Sequence, residues 1–315
     1  MIDKQDINLL KGLCGLSEFK ILKLISDFLI QKEYTPFLNE HYLLAEGNIP
    51  ILLVAHADTV FPKTPREIYY DSEKNVMWSP GGLGADDRAG IFGIVKILQH
   101  NSNLRPHVLL TTGEECGGIG VSQLITDFPQ HPFQDLKYII ELDRQGFNEC
   151  VFYNCDNQDF VNYIINFDFI EEIGLFSDIS ILCPAWGIAG VNLSIGYFAE
   201  HSYSERLFLN KTFDTIDKTI TMLQSSDEAE HFAYFSNTET DLYNIDIDFC
   251  DICHQKYPDS GLKVGQAVDS TNTVFYAYVC PSCAEQHFQR CKNCGTDFID
   301  SNKNDYCYVC RKEIK

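Results

Sequence analysis

Four short, almost unbroken apolar runs alternate with longer segments of helical periodicity, and this alternation restricts the architecture more than any other feature of the chain. The runs are IPILLVAHADTV from Ile49, HVLLTTGEE from His107, KYIIELDR from Lys137 and AGVNLSIGY from Ala189. A strand that is apolar on both faces belongs in a sheet covered on both sides. The segments SEFKILKLISDFLIQKEY from Ser17, ADDRAGIFGIVKILQH from Ala85 and SERLFLNKTFDTIDKTITML from Ser204 place apolar residues at helical spacing. Ser17 would cap the first, and Asp86 and Asp87 would sit in the first turn of the second, where the helix dipole favours acids. Strands alternating with helices predict an α/β fold, a three-layer sandwich around a central, mostly parallel sheet.

Ligands of such sheets gather at the carboxyl ends of the strands. His56 ends the first run and Asp58 follows two residues later. Asp86 and Asp87 lie where the Gly-rich loop SPGGLG enters a helix; Glu114 and Glu115 follow the second run, Asp143 ends the third and His201 follows the fourth. Taken singly, a strand-end histidine is a hydrogen-bonded structural residue and an aspartate before a helix is a cap. Taken together, so many acids at the ends of core elements are costly without cations. Glu114 and Glu115 are adjacent, with no lysine or arginine within several positions, and like charges this close raise each other's pKa. The missing positive charge is expected to be a metal.

The motifs HADTV, GADDRAG, TTGEE, ELDR and EHSYSE, in this order, resemble those of the co-catalytic zinc peptidases, the M28 aminopeptidases and the M20 carboxypeptidase-type hydrolases, over about residues 10 to 226. The resemblance implies that Asp86 bridges two zinc ions. His56 and Asp143 would complete one metal, Glu115 and His201 the other. Glu114 would be the general base and Asp58 the carboxylate that orients His56. The peptide between Asp86 and Asp87 would be cis. Two metals about 3.5–4 Å apart need a bridging carboxylate and lower the pKa of a shared water. A glutamate that takes that water's proton is not also a ligand.

The implied activity is peptide-bond hydrolysis of the M28 aminopeptidase type, on a peptide or aminoacyl small-molecule substrate. Two alternatives are another amide hydrolase, such as a carboxypeptidase or an N-acyl amino acid deacylase, and a binding protein whose hydrolase domain is a relic. The chain between Asp143 and His201 is too short for the M20 lid domain, and that between His56 and Asp86 too short for the M42 insert. The stretch FSDISILCPAWGIAGVNLSIGY is similar to the M28 pattern, but Ile179 stands in place of a histidine and Ala189 in place of a proline. Arg144 follows a ligand directly and reads as an ion-pair partner beside the site, or else as a clamp for a substrate carboxylate or carbonyl. Ser202 and Glu205 form S-x-x-E, a capping box that would start the next helix and so aim His201.

Of the 13 cysteines, eight form four CxxC pairs: Cys250/Cys253, Cys280/Cys283, Cys291/Cys294 and Cys307/Cys310. In a chain without a secretory signal this pattern reads as two structural zinc ions, in addition to the two of the catalytic site, in a small zinc-ribbon or treble-clef-like module. Cys14, Cys116, Cys150, Cys155 and Cys183 are scattered and read as buried small hydrophobes. The expected division is a hydrolase domain over 1–226, a polar, acidic linker over 227–249 and the cysteine module over 250–315. A net charge of -21 disfavours nucleic acid, whose phosphates need lysine and arginine, and the module from residue 245 onward is itself slightly acidic. Its expected role is structural or protein-contacting. With no apolar run of membrane-spanning length and no secretory signal, the expected location is the cytoplasm.

Overall fold

The computed structural model describes residues 2–235, 247–249, 256–258, 263–268, 274–279, 281–293, 296–299, 305 and 307. The chain divides into two compact units, Met1–Ser236 and Asn237–Lys315.

The first unit is built on an eight-stranded sheet of β1 (Phe37–Leu38), β2 (Tyr42–Ala45), β3 (Ile49–His56), β6 (Pro106–Thr111), β7 (Tyr138–Arg144), β8 (Glu149–Val151), β9 (Ile170–Glu171) and β10 (Gly190–Ser194). Their order across the sheet is β1-β2-β6-β3-β7-β10-β8-β9. The central strands β6, β3, β7 and β10 run parallel, whereas β2 and β8 pair antiparallel with their inner neighbours. A second, antiparallel sheet, β11-β12-β5-β4, joins Tyr197–Phe198 (β11), Arg206–Phe208 (β12), Val76–Trp78 (β5) and Tyr69–Asp71 (β4).

Side chains that alternate along a strand point to opposite faces. On β3, Ile51, Leu53 and Ala55 join the apolar cluster that includes α1 (Lys4–Cys14), α2 (Glu18–Gln31), α3 (Ala85–His100), α5 (Gln158–Ile165) and α7 (Leu209–Gln224). Leu52 and Val54 join a second cluster with α4 (Ile119–Asp127) and α6 (Asp178–Trp186). Helices thus cover both faces, giving the expected three-layer, mostly parallel α/β architecture. Helix α3 lies very close to β7: a Cβ on Gly90 would stand 2.3 Å from the Leu142 carbonyl oxygen, so only glycine fits there.

Three local readings are corrected. Ser17 is the N-cap residue of α2, but its side chain makes no capping bond. Asp86 and Asp87 have non-helical backbone angles, so the regular part of α3 starts after them; the Asp86–Asp87 peptide is cis, as the resemblance implied. Ser202 and Glu205 form no capping box, because Arg206–Phe208 is a strand and α7 starts only at Leu209.

The segment expected to begin a linker docks onto the first unit. Ala229 and Phe232 are buried, Ala189 N–H donates to the Phe232 carbonyl at 2.8 Å, and Phe232 N–H donates to that of Lys137 at 2.9 Å. Phe232 also packs its ring among Tyr138, Phe160 and Tyr163. Of the scattered cysteines, Cys14, Cys150, Cys155 and Cys183 are buried as expected, whereas Cys116 is exposed.

In the second unit, β13 (Ile247–Phe249) pairs antiparallel with β14 (Lys256–Pro258). A four-stranded sheet has the order β16 (Val274–Val279), β15 (Lys263–Val268), β18 (Asp297–Ile299), β17 (Phe288–Arg290), and α8 spans Pro281–His287. Cys291 and Cys307 are buried beside Phe298, and Cys283 lies half-buried on α8. Cys250, Cys253, Cys280, Cys294 and Cys310 lie outside the described residues. Among the described residues, no helix is long and apolar enough to cross a membrane.

Candidate metal centre

The seven side chains to which the resemblance gave a role, His56, Asp58, Asp86, Glu114, Glu115, Asp143 and His201, lie together near the carboxyl ends of β3, β6 and β7. The end of β3 delivers His56, fully buried. Its Nδ1 lies 3.3 Å from Asp58 Oδ1, and its Nε2 lies 3.1 Å from Asp86 Oδ1 and 3.4 Å from Asp143 Oδ1. The other oxygen of Asp86, Oδ2, is 3.1 Å from His201 Nε2, which is 3.0 Å from Glu115 Oε2. Asp86 therefore joins two sets, His56/Asp86/Asp143 and Asp86/Glu115/His201, each with its ligand atoms within 4.8 Å of one another. Glu114 Oε2 is 3.9 Å from His56 Nε2, and Glu114 falls in a third such group with His56 and Glu115.

These donors suit zinc. Bonds of about 2.0–2.1 Å in a tetrahedron put neighbouring donor atoms about 3.3 Å apart, close to the 3.0–3.4 Å histidine–carboxylate separations in both sets. Glu115 Oε1 is buried without a hydrogen-bond partner, a cost that a cation would relieve.

The surrounding electrostatics point the same way. Burial pushes Glu114 up to about 9, the His56 charge opposing and Asp143 adding to the rise. Burial likewise lifts Asp143 to about 7 despite His56. Burial also works against Asp86, yet hydrogen bonds to His201 and His56 hold its carboxyl below the usual carboxylate range. His201 is raised to about 11, first by its hydrogen bonds to Asp86 and Glu115. The histidine nitrogens and carboxylate oxygens that face one another at 3.0–3.4 Å are the lone-pair donors that a divalent cation would use.

Several supports are ordinary consequences of the local sequence. Gly113, at φ 70°, takes the left-handed turn after β6, and the following loop folds on itself through Gly117 and Gly118 N–H bonds to the Glu114 carbonyl. Asp58 does more than meet His56: its two oxygens accept from Glu114 N–H at 3.2 Å and Glu115 N–H at 3.1 Å, so one carboxylate sets the positions of both glutamates. Asp87 is turned away from the metal-type sets. It accepts from Gly90 N–H, capping α3, and from His56 N–H.

Four supporting residues were not singled out for these roles in the sequence. Glu205, fully buried, accepts from Leu83, Gly84 and Asp86 N–H at 3.1, 2.7 and 3.1 Å, so it fixes the loop that carries Asp86. Asn192 bonds both the N–H and the carbonyl of Asp143, and Tyr197 Oη lies 3.0 Å from Asp143 Oδ1. Arg88, buried, donates to the carbonyls of Ala57, Asp58 and Leu16. A lone asparagine inside the apolar run AGVNLSIGY was a readable signal, since a buried amide needs partners. The reach of Glu205 across 119 positions was not.

Replacing Glu205 with alanine would leave three buried N–H groups without their acceptor. The expected loss of stability is on the order of 3 kcal/mol. Urea unfolding in chelator would measure it apart from any effect on metal.

The two metal-type sets open into a cleft of about 510 Å³ that Arg144 and the loop at Ile173–Phe176 also line. Arg144, expected as an ion-pair partner, makes no ion pair among the described residues; its Nη2 donates to the Ile173 carbonyl at 3.4 Å. The span between Asp143 and His201 is used up by β8, α5, β9, α6, β10 and β11, so no lid domain is inserted there.

No family model and no curated protein matches the sequence. Solved structures do match in fold. A tripeptidase from Staphylococcus aureus is 14% identical, with 72% of this chain and 100% of that one covered, at a TM-score of 0.59. Aminopeptidase PepT from Bacillus cereus is 14% identical over 71% and 98% of the two chains, at 0.55. An aminopeptidase from the archaeon Desulfurococcus kamchatkensis is 14% identical over 70% and 94%, at 0.54. The large domain of this chain has the fold of these peptidases.

Proposed function

We propose that this chain is a di-zinc metallopeptidase that removes residues from the free amino terminus of peptides. The observation that carries the reading is the division of Asp86, whose two oxygens each stand 3.1 Å from a different histidine. On this reading His56, Asp86 and Asp143 hold one zinc, and Asp86, Glu115 and His201 hold the other. The fold shared with a tripeptidase and two aminopeptidases supports a peptide as substrate.

Zinc bound there would polarise a peptide carbonyl and bring the pKa of a water towards neutrality. Glu114 takes the proton of the attacking water and hands it to the leaving amine, a role that its carboxylate, outside the two sets that share Asp86, leaves open. Asp58 keeps His56 in one orientation and holds the Glu114 and Glu115 backbones; Tyr197 and Asn192 do the same for Asp143.

For the cysteine module the proposal is two further zinc ions on Cys250, Cys253, Cys280, Cys283, Cys291, Cys294, Cys307 and Cys310, in a structural or protein-contacting role. So small a unit with a sparse apolar core gains much of its stability from such staples.

The test is a substrate panel on the zinc-loaded full chain. Release of the first residue from unblocked peptides is the expected result. Cleavage of N-acylated amino acids alone would make it a deacylase instead, and turnover of neither with metals bound would favour a binding protein.

A further inference from the structure

The end of β7 carries a group that the proposed chemistry does not use. Along β10 the register steps from Asn192, opposite Glu141, to Ser194, opposite Arg144, so two steps on β10 face three on β7. Such a bulge re-aims side chains at a strand end. Consecutive residues that would otherwise point to opposite faces, Asp143 and Arg144, therefore line one cleft.

Arg144 is unusual in that cleft. It stands among carboxylates, yet among the described residues its buried Nε has no hydrogen-bond partner and its one hydrogen bond is the long contact to the Ile173 carbonyl. Asp86, Glu115 and Asp143 are turned to the histidines instead, at 3.0–3.4 Å. A guanidinium is a planar fork that matches a carboxylate in two parallel bonds, and among the described residues no carboxylate pairs with this one, although Glu114 and Glu200 line the same cleft. Beside it, Ile173 and Leu175 are 86% and 99% exposed at the cleft wall. With Phe176, 42% exposed, they set an apolar edge beside the polar end of the cleft, where an apolar side chain could rest.

We infer that Arg144 binds the free α-carboxylate of a short peptide whose last side chain lies against Ile173 and Leu175. The inference rests on the peptidase reading and narrows it to dipeptides and tripeptides ending in a bulky apolar residue. Neighbouring Cα atoms are about 3.8 Å apart, so a group next to Asp143 meets the substrate within a residue or two of the bond being cut. A long polypeptide would present an uncharged amide there.

The experiment compares kcat/KM of the zinc-loaded full chain on Leu-Leu and Ala-Ala-Leu with the same peptides as C-terminal amides. The free acids are expected to be favoured by about 100-fold, because the amides leave the guanidinium without its partner. Arg144→Ala should remove that preference, mostly through KM for the acids, with the amides changed by less than about 3-fold. Arg144→Lys should restore part of it. Equal rates on acid and amide in the unaltered protein would overturn the assignment, as would an Arg144→Ala variant that keeps its zinc and slows both alike. Hydrolysis of no peptide, acid or amide, would instead bring down the peptidase reading itself, a failure visible before any variant is made.

Discussion

Glu114→Gln is expected to keep both metals of the large domain and to lower kcat by a factor of about 10²–10⁴, with KM little changed. The side chain lies beside the two ligand sets without belonging to the bridged pair: its Oε2 is 3.9 Å from His56 Nε2, whereas Glu115 Oε2 is 3.0 Å from His201 Nε2. An amide of the same shape preserves the packing but accepts no proton. Glu115→Gln is expected to weaken one zinc, because an amide is a poor substitute for a carboxylate ligand, and added zinc should restore part of its activity. Elemental analysis and steady-state kinetics on both variants decide the matter. A Glu114→Gln protein that loses metal, beside a Glu115→Gln protein that keeps both ions and loses only turnover, would mean the two roles are reversed.

The second large effect concerns Asp86. Asp86→Ala should weaken both catalytic zinc ions together, each by more than about 100-fold, since every other proposed ligand serves one ion and this one serves two. Asp58→Ala, by contrast, should cost about 10–100-fold in affinity by loosening His56 and the two glutamate backbones without removing a ligand. Competition with a zinc-binding dye would give the affinities. Loss of a single ion in Asp86→Ala would show that the carboxylate does not bridge.

How much of this was legible before the fold was known depended on the range of the interactions. The strands β3, β6, β7 and β10 were plain because burial on both faces leaves an unbroken apolar run, and burial is a property of the residues themselves. The proposed ligands His56, Glu115 and Asp143 drew notice for a related reason: they stand at or just past the ends of those runs. What escaped was set by geometry between distant segments. S-x-x-E at Ser202 and Glu205 has the local form of a capping box, but the strand Arg206–Phe208 pairs with Val76–Trp78 and preempts the helix, which frees Glu205 to reach the loop before Asp86. In the same way, "ADD" reads as a helix first turn, whereas both aspartates are pulled out of helical geometry, with Asp87 capping the helix that follows. The acidic stretch after residue 226 looks like a linker by composition, but buried Ala229 and Phe232, with the backbone bonds to Lys137 and Ala189, keep its first part on the domain.

Crystals of the zinc-loaded full chain, measured for anomalous scattering at the zinc edge, would test the central claim most directly. Two peaks about 3.5–4 Å apart are expected at Asp86, one beside His56 and Asp143 and the other beside Glu115 and His201. Peaks at the cysteine module would show that the metal had been taken up. A single peak at Asp86, or none, in a crystal whose cysteine module is loaded would contradict the di-zinc account.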